Sequence, residues 1–257
     1  MKDKYLSNIV FLGVICFMFC ATACAPDNQI LRQQAEASKI LGEAYLSQGS
    51  YTAALRELLE AERKNPDDPM IHNSLGLAYT YMAKARPDLA VKHLQKALEL
   101  QPDLSPAVNN LGIAYLRLNR WDDAIEQFKL LSTDLLYGTP HFPLTNMGFA
   151  YFNKGEYEQA EKYYLEALTF QPGFVIALRG LGRTYMKTGE LEKAQEMFNE
   201  AVSTDPSFVP AYMDLAKSYL IAGEIEKAKN AYQQVISIAP NSSFAKEAQH
   251  DLKLLAD

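Results

Sequence analysis

Apolar positions along the chain fall into short helical phrases that recur. Leu111, Gly112 and Tyr115 stand one and four apart, and Ala124, Phe128 and Leu131 stand four and seven apart. Each trio therefore marks one face of a helix, and Asn119-Arg120 is the polar break between them. The first trio returns in phase as Gly42/Tyr45, Gly76/Tyr79, Gly112/Tyr115, Gly148/Tyr151, Gly182/Tyr185 and Ala216/Tyr219, in steps of 34, 36, 36, 34 and 34 residues. The second returns as Ala54/Leu58/Ala61, Ala90/Leu94/Ala97, Ala124/Phe128/Leu131, Ala160/Tyr164/Ala167, Ala194/Phe198/Ala201 and Ala228/Tyr232/Val235. Pro66, Pro102, Pro172, Pro206 and Pro240 close five of the six units. Two short antiparallel helices with faces this small cannot form a core alone, so the pattern predicts units stacked on copies of themselves. The small residues let paired helices approach, while the repeated tyrosines and Trp121 are expected to pack between them.

This pattern resembles the tetratricopeptide repeat over Ala35 to Asn241. The resemblance implies an all-α, right-handed superhelical solenoid of six helix-turn-helix units, at 35–68, 69–104, 105–140, 141–174, 175–208 and 209–242. The remainder, 243–257, reads as a capping helix started by Asn241-Ser242-Ser243, with Ala245, Ala248, Leu252 and Leu255 turned inward. Two places break the period. Lys84 to Pro87 lengthens the turn of the second unit by two residues. After Leu131 the chain runs from Ser132 to Pro143 where a short linker is usual, carrying Leu135, Leu136, Tyr137 and Phe142. Such an apolar connection either packs over a gap between the halves of the array or offers a surface to a partner.

The N-terminus follows a different grammar. Lys2 and Lys4 give a net-positive start, Ile9 to Phe19 is almost entirely apolar, and Ala21-Thr22-Ala23 precedes Cys24. Residues 1–23 thus read as a signal peptide. The run Leu6 to Ala23 nears the length of a membrane span but ends in small residues instead of a basic flank, which favours cleavage. Ala23-Cys24 resembles the lipobox of bacterial lipoproteins, with Ala21 where that family usually has Leu. The resemblance implies a lipidated Cys24 at the new N-terminus, with 24–34 as a tether. Ala25 after the cysteine points, by the same resemblance, to the periplasm-facing side of the outer membrane. Several acyl chains on one residue anchor stably without a further membrane helix.

Composition narrows the function. The net charge is −6, and loss of Lys2, Asp3 and Lys4 with the signal would make it −7, so a nucleic-acid backbone is not the expected partner. All three cysteines, Cys16, Cys20 and Cys24, lie in or beside the apolar run, which excludes a disulfide framework in the body. His72, His93, His141 and His250 are far apart in sequence and form no local metal motif, and no phosphate-binding glycine loop is present. The expectation is a non-enzymatic chain with no cofactor, metal or small-molecule substrate.

What remains is the concave groove, which the first helix of each unit lines in tetratricopeptide arrays. Transferring those positions gives Asn73, Leu77 and Tyr81; Asn109, Ile113 and Leu116; Thr145, Phe149 and Phe152; Arg179, Arg183 and Met186; and Met213, Lys217 and Leu220. Its middle is apolar and its C-terminal half basic. Ile113, Leu116, Phe149 and Phe152 suit a partner's helix or extended segment, and Asn73 and Asn109 could bond its backbone. The basic set of the carboxylate-clamp subgroup is not present. Six such units behind a lipoprotein signal, with the Tyr137-Gly138-Thr139-Pro140 connection between the third and fourth, resemble the type IV pilus biogenesis and stability lipoproteins, the pilotins of the outer-membrane secretin. That resemblance implies a scaffold that binds secretin subunits and promotes their targeting, multimerisation or stability, on which pilus extension and twitching motility depend. The alternative is an envelope lipoprotein of the same fold that recruits peptidoglycan- or polysaccharide-assembly enzymes.

Overall fold

A computed structural model describes residues 28–132 and 138–255. Among these there are thirteen α-helices and no strand. They run α1 (Asn28–Ser47), α2 (Tyr51–Lys64), α3 (Pro69–Tyr81), α4 (Pro87–Leu100), α5 (Ser105–Arg117), α6 (Trp121–Ser132), α7 (His141–Lys154), α8 (Tyr157–Phe170), α9 (Val175–Thr188), α10 (Leu191–Thr204), α11 (Val209–Ile221), α12 (Ile225–Ile238) and α13 (Ser243–Leu254). Six consecutive pairs plus a last helix make an all-α tetratricopeptide solenoid. The first described helix spans Asn28–Ser47, so residues 28–34, read from sequence as tether, are helical. No described helix is long and apolar enough to cross a membrane.

The turn inside each unit has one chemistry. Gly49, Asn119, Gly155, Gly189 and Gly223 take positive φ four residues after the repeated tyrosine. The next amide bonds that tyrosine's carbonyl, as in Ser50 N to Tyr45 O (2.9 Å) and Glu224 N to Tyr219 O (2.8 Å). This left-handed cap ends the first helix without burying an unmet carbonyl. In the second unit the two extra residues move the donor to Arg86, whose amide still reaches Tyr79 O at 2.9 Å. The insertion is absorbed by the loop and leaves the stack in phase.

Prolines set the other ends. Asn65, Gln101, Gln171, Asp205 and Ala239 cap second helices and each precedes a proline, with φ between −129° and −142°. The pyrrolidine ring disfavours helical geometry at the residue before it, so the helix stops there. Asp68 opens α3 by accepting from the amides of Met70 and Ile71, and Ser242 opens α13 by accepting from Ala245 N at 3.1 Å. Ala245 and Ala248 are buried against α12, while Leu252 and Leu255 close over the same end of the core.

Packing follows the two trios. The anchor side chains Leu58, Leu94, Phe128, Tyr164, Phe198 and Tyr232 are all buried. The first five reach across to a glycine of the partner helix. A Cβ on Gly112 would meet Phe128 Cε1 at 2.6 Å, and one on Gly180 would lie against the Tyr164 ring from the preceding unit. Gly112→Ala is therefore expected to lower stability by about 1–3 kcal/mol through overpacking, despite alanine's better helix propensity. Urea unfolding monitored by circular dichroism checks this. The sixth unit carries Ala216 at the equivalent position and buries it fully.

Each first helix touches the first helix of the next unit, whereas no second helix touches the next second helix among the described residues. The array therefore curves with α1, α3, α5, α7, α9 and α11 on its inner side. One core of buried residues runs without interruption from α4 to α11.

Candidate functional site

The inner face holds an apolar opening between α5 and α7. These two helices contact each other least among the neighbouring first helices, and the long connection 133–140 intervenes in sequence between their units. Ile113, Leu116, Arg117, Asn146 and Phe149 line a cavity of about 310 Å³ there. The Phe149 side chain is 38% exposed and stands edge-on to Trp121, with ring centroids 6.2 Å apart. Trp121 is thus half-buried and supports the groove wall. A larger cavity of about 830 Å³ lies at the start of α1, but Asn28, Gln29, Arg32, Gln33, Glu36 and Asn65 make it polar, with no apolar anchor point.

One guanidinium lines the apolar opening, and a second lies over Phe152, three residues after Phe149 on α7. Arg117 lies 5.2 Å from the centroid of the exposed Tyr81 ring, and Arg183 lies 4.8 Å from that of Phe152. Neither guanidinium has an ion-pair partner among the described residues, so both keep their charge available while the rings hold them. The inner face thus combines an apolar opening with Arg117 at its wall and Arg183 over Phe152 on the same helix as Phe149, a surface that fits a segment carrying apolar anchors and carboxylates.

The remaining groove positions are placed as follows. Leu77, Ile113, Leu116 and Phe152 are half-buried along the inner helices. Asn73 is buried, and its Oδ1 accepts from Asn110 Nδ2 at 2.9 Å, which fixes α3 to α5 and takes the group out of contact with solvent. Asn109 is half-buried, and its Oδ1 is sealed from solvent with no hydrogen-bond partner among the described residues. Thr145 is buried and donates to His141 O at 2.7 Å, and Met213 is core. The basic character expected of the C-terminal half is mostly cancelled. Arg179 Nε sits 2.6 Å from Asp214 Oδ2, and Lys217 Nζ sits 2.7 Å from Glu247 Oε1. Only Arg183 of that set lacks an ion pair among the described residues.

The repeated tyrosines are buried or half-buried along the stack, and the hydroxyls of Tyr115, Tyr185 and Tyr219 have hydrogen-bond partners. Tyr115 is buried and accepts from Gln95 Nε2 at 3.2 Å. Tyr185 donates to Glu161 at 2.9 Å, and burial together with that carboxylate pushes its phenol up to about 12. It stays neutral at pH 7.

The histidines are not all apart, because His72 on α3 and His93 on α4 bring their Nδ1 atoms to 3.2 Å, with Glu62 Oε1 at 3.6 and 3.5 Å from them. Burial holds His93 below the ordinary histidine range. In the long connection, Leu135, Leu136 and Tyr137 lie outside the described residues. Phe142 is described. Its ring packs at 5.4 Å on Phe174, the residue that caps the start of α9, and at 4.2 Å on His141, while remaining 45% exposed. Cys24 also lies outside the described residues.

Comparisons with known proteins agree with this architecture. Models described as TPR repeat and tetratricopeptide repeat match residues 42–82 and 75–131, and one described as the cilia and flagella-associated protein 70 middle TPR-like domain matches 144–256. No curated protein matches the chain by sequence. Among solved structures, PilW, a widely conserved type IV pilus biogenesis factor, superposes with a TM-score of 0.74 at 24% identity, covering 84% of this chain and 98% of its own. Pseudomonas aeruginosa PilF superposes at 0.68 and 19% identity, over 86% and 99%. YrrB, a TPR protein with an unusual peptide-binding site, superposes at 0.51 and 19% identity, over 75% and 97%. The chain is a tetratricopeptide-repeat protein that shares its fold with PilW and PilF over 84% and 86% of its length.

Proposed function

We propose that this chain is a non-enzymatic, lipid-anchored scaffold of the outer membrane that captures secretin subunits of a type IV pilus system in its inner groove and promotes their assembly. The observation that carries the binding step is the apolar opening at Ile113, Leu116 and Phe149 with Arg117 at its margin. An amphipathic or extended segment would seat one or two apolar side chains there and place carboxylates against Arg117 and Arg183. Tetratricopeptide arrays serve as protein-binding scaffolds, the fold likeness to PilW, a type IV pilus biogenesis factor, supports the pilus setting, and the choice of the secretin rests on the resemblance read from the sequence. A crosslinked pull-down from envelope membranes tests this reading. Recovery of the secretin supports it, whereas recovery of murein-assembly enzymes without secretin would favour the alternative partner class.

Anchoring rests on Cys24 and the signal that precedes it. Cys24→Ala is expected to leave the repeat array folded, because Cys24 precedes every described helix in the chain, while releasing the protein from the outer-membrane fraction and delaying secretin multimer formation. Membrane fractionation with lipidation mass spectrometry checks it. An unlipidated variant that still sediments with the outer membrane would remove the anchor from this account.

A further inference from the structure

We propose that Glu62, His72 and His93 form a binding site for a divalent transition-metal ion of the zinc type, clipping the first repeat to the second. The three donors come from consecutive helices, α2, α3 and α4, and all lie within 4.8 Å of one another. The Nδ1 atoms of the two imidazoles are 3.2 Å apart, and Glu62 Oε1 is 3.5 Å from His93 Nδ1 and 3.6 Å from His72 Nδ1. Ligand bonds of about 2.0–2.1 Å in a tetrahedron place neighbouring donors about 3.3–3.4 Å apart, so small side-chain adjustments bring all three onto one ion.

The surroundings orient the ligands. His72 Nε2–H donates to Pro66 O at 2.7 Å, which directs the Nδ1 lone pair into the cluster. A backbone acceptor on the far nitrogen is the usual support behind a metal-bound imidazole. His93 is held by the Tyr79 ring, nearly parallel to it at 5.5 Å. His72 is buried, but Glu62 keeps solvent access through a side chain that is 27% exposed, so an ion can reach the site. Two imidazoles and one carboxylate favour zinc, cobalt, nickel or copper over calcium and magnesium, which take mostly oxygen. Three protein ligands leave a fourth position for water or a partner's side chain. Without metal, the same contacts close as a His93 Nδ1–H bond to His72 Nδ1, with Glu62 alongside.

The test uses the full chain in detergent, with Cys16, Cys20 and Cys24 changed to Ser to remove competing thiols. Zn²⁺ is titrated calorimetrically, and Co²⁺ is followed by its visible absorption. The expected result is one ion per chain, a thermal midpoint raised by zinc and restored by chelator, and affinity reduced at least about tenfold in Glu62→Gln and His93→Gln. Because the histidine variant could fail to fold, the ¹⁵N shifts of the His72 and His93 rings are also followed in the thiol-free chain, where zinc should move both. Absence of stoichiometric binding, binding unchanged in both variants, or ring shifts unmoved by zinc would each overturn the proposal and leave a proton-bridged histidine pair.

Discussion

Phe128→Ala is expected to lower the stability of the array by about 3–5 kcal/mol, the range for emptying a fully buried aromatic site. The ring is completely buried and lies against Gly112, which has no side chain to fill the space it would leave. The surrounding core joins α4 to α11, so the cavity would fall where the stack is longest and collapse is least able to heal it. In a quasi-one-dimensional array each unit is held by its neighbours, so loosening the third unit weakens its interfaces with the second and fourth as well. Thermal unfolding should begin earlier and broaden, since the two ends would no longer melt together. Differential scanning calorimetry checks both effects. A shift no larger than that of a surface substitution would mean that Phe128 does not carry the packing assigned to it.

Phe149→Glu should do the opposite, sparing the fold and removing the partner. Its ring is partly exposed and meets Trp121 in a T-shaped contact, so the loss in stability should be within about 1 kcal/mol. At the floor of the α5–α7 opening, the new carboxylate would face the apolar side chains of whatever segment enters, and Arg117 and Arg183 would be partly neutralised. Loss of a central aromatic anchor typically weakens binding by about 2 kcal/mol or more, roughly thirtyfold in Kd. Titration of the variant against the secretin segment, beside a circular dichroism melt, separates the two effects. A variant that unfolds would place Phe149 in the core.

The contrast between these residues was legible in sequence because of periodicity. Phe128 and Gly112 recur in phase, and a repeated small or aromatic position at helical spacing marks packing, whereas Ile113, Leu116 and Phe149 fall between the anchors. The turn residue Asn119 and the cap at Ser242 were also readable, since each supplies a backbone conformation or acceptor that local chemistry requires.

Lateral pairing between units was not legible. Asn73 looks like a free groove amide until Asn110, in the next unit, occupies it. Arg179 looks like open positive charge until Asp214, 35 residues later, meets it. His72 and His93 are 21 residues apart, which hides their contact from any local motif. A signal did exist: Glu62 follows the anchor Ala61 and His93 precedes the anchor Leu94, so aligning the repeats places both beside adjoining interfaces. Pairing across units depends on side-chain reach as well as phase, and phase alone supplies only neighbourhood.

The central claim is that partner capture occurs on the inner face at the α5–α7 opening. A photo-crosslinking phenylalanine analogue at position 149, compared with the same analogue at the exposed Leu165 of the outer helix α8, tests it most directly in intact envelopes. The expected result is a covalent product between position 149 and a secretin segment, with little or none from position 165. Equal crosslinking from both positions, or secretin captured from position 165 alone, would contradict it.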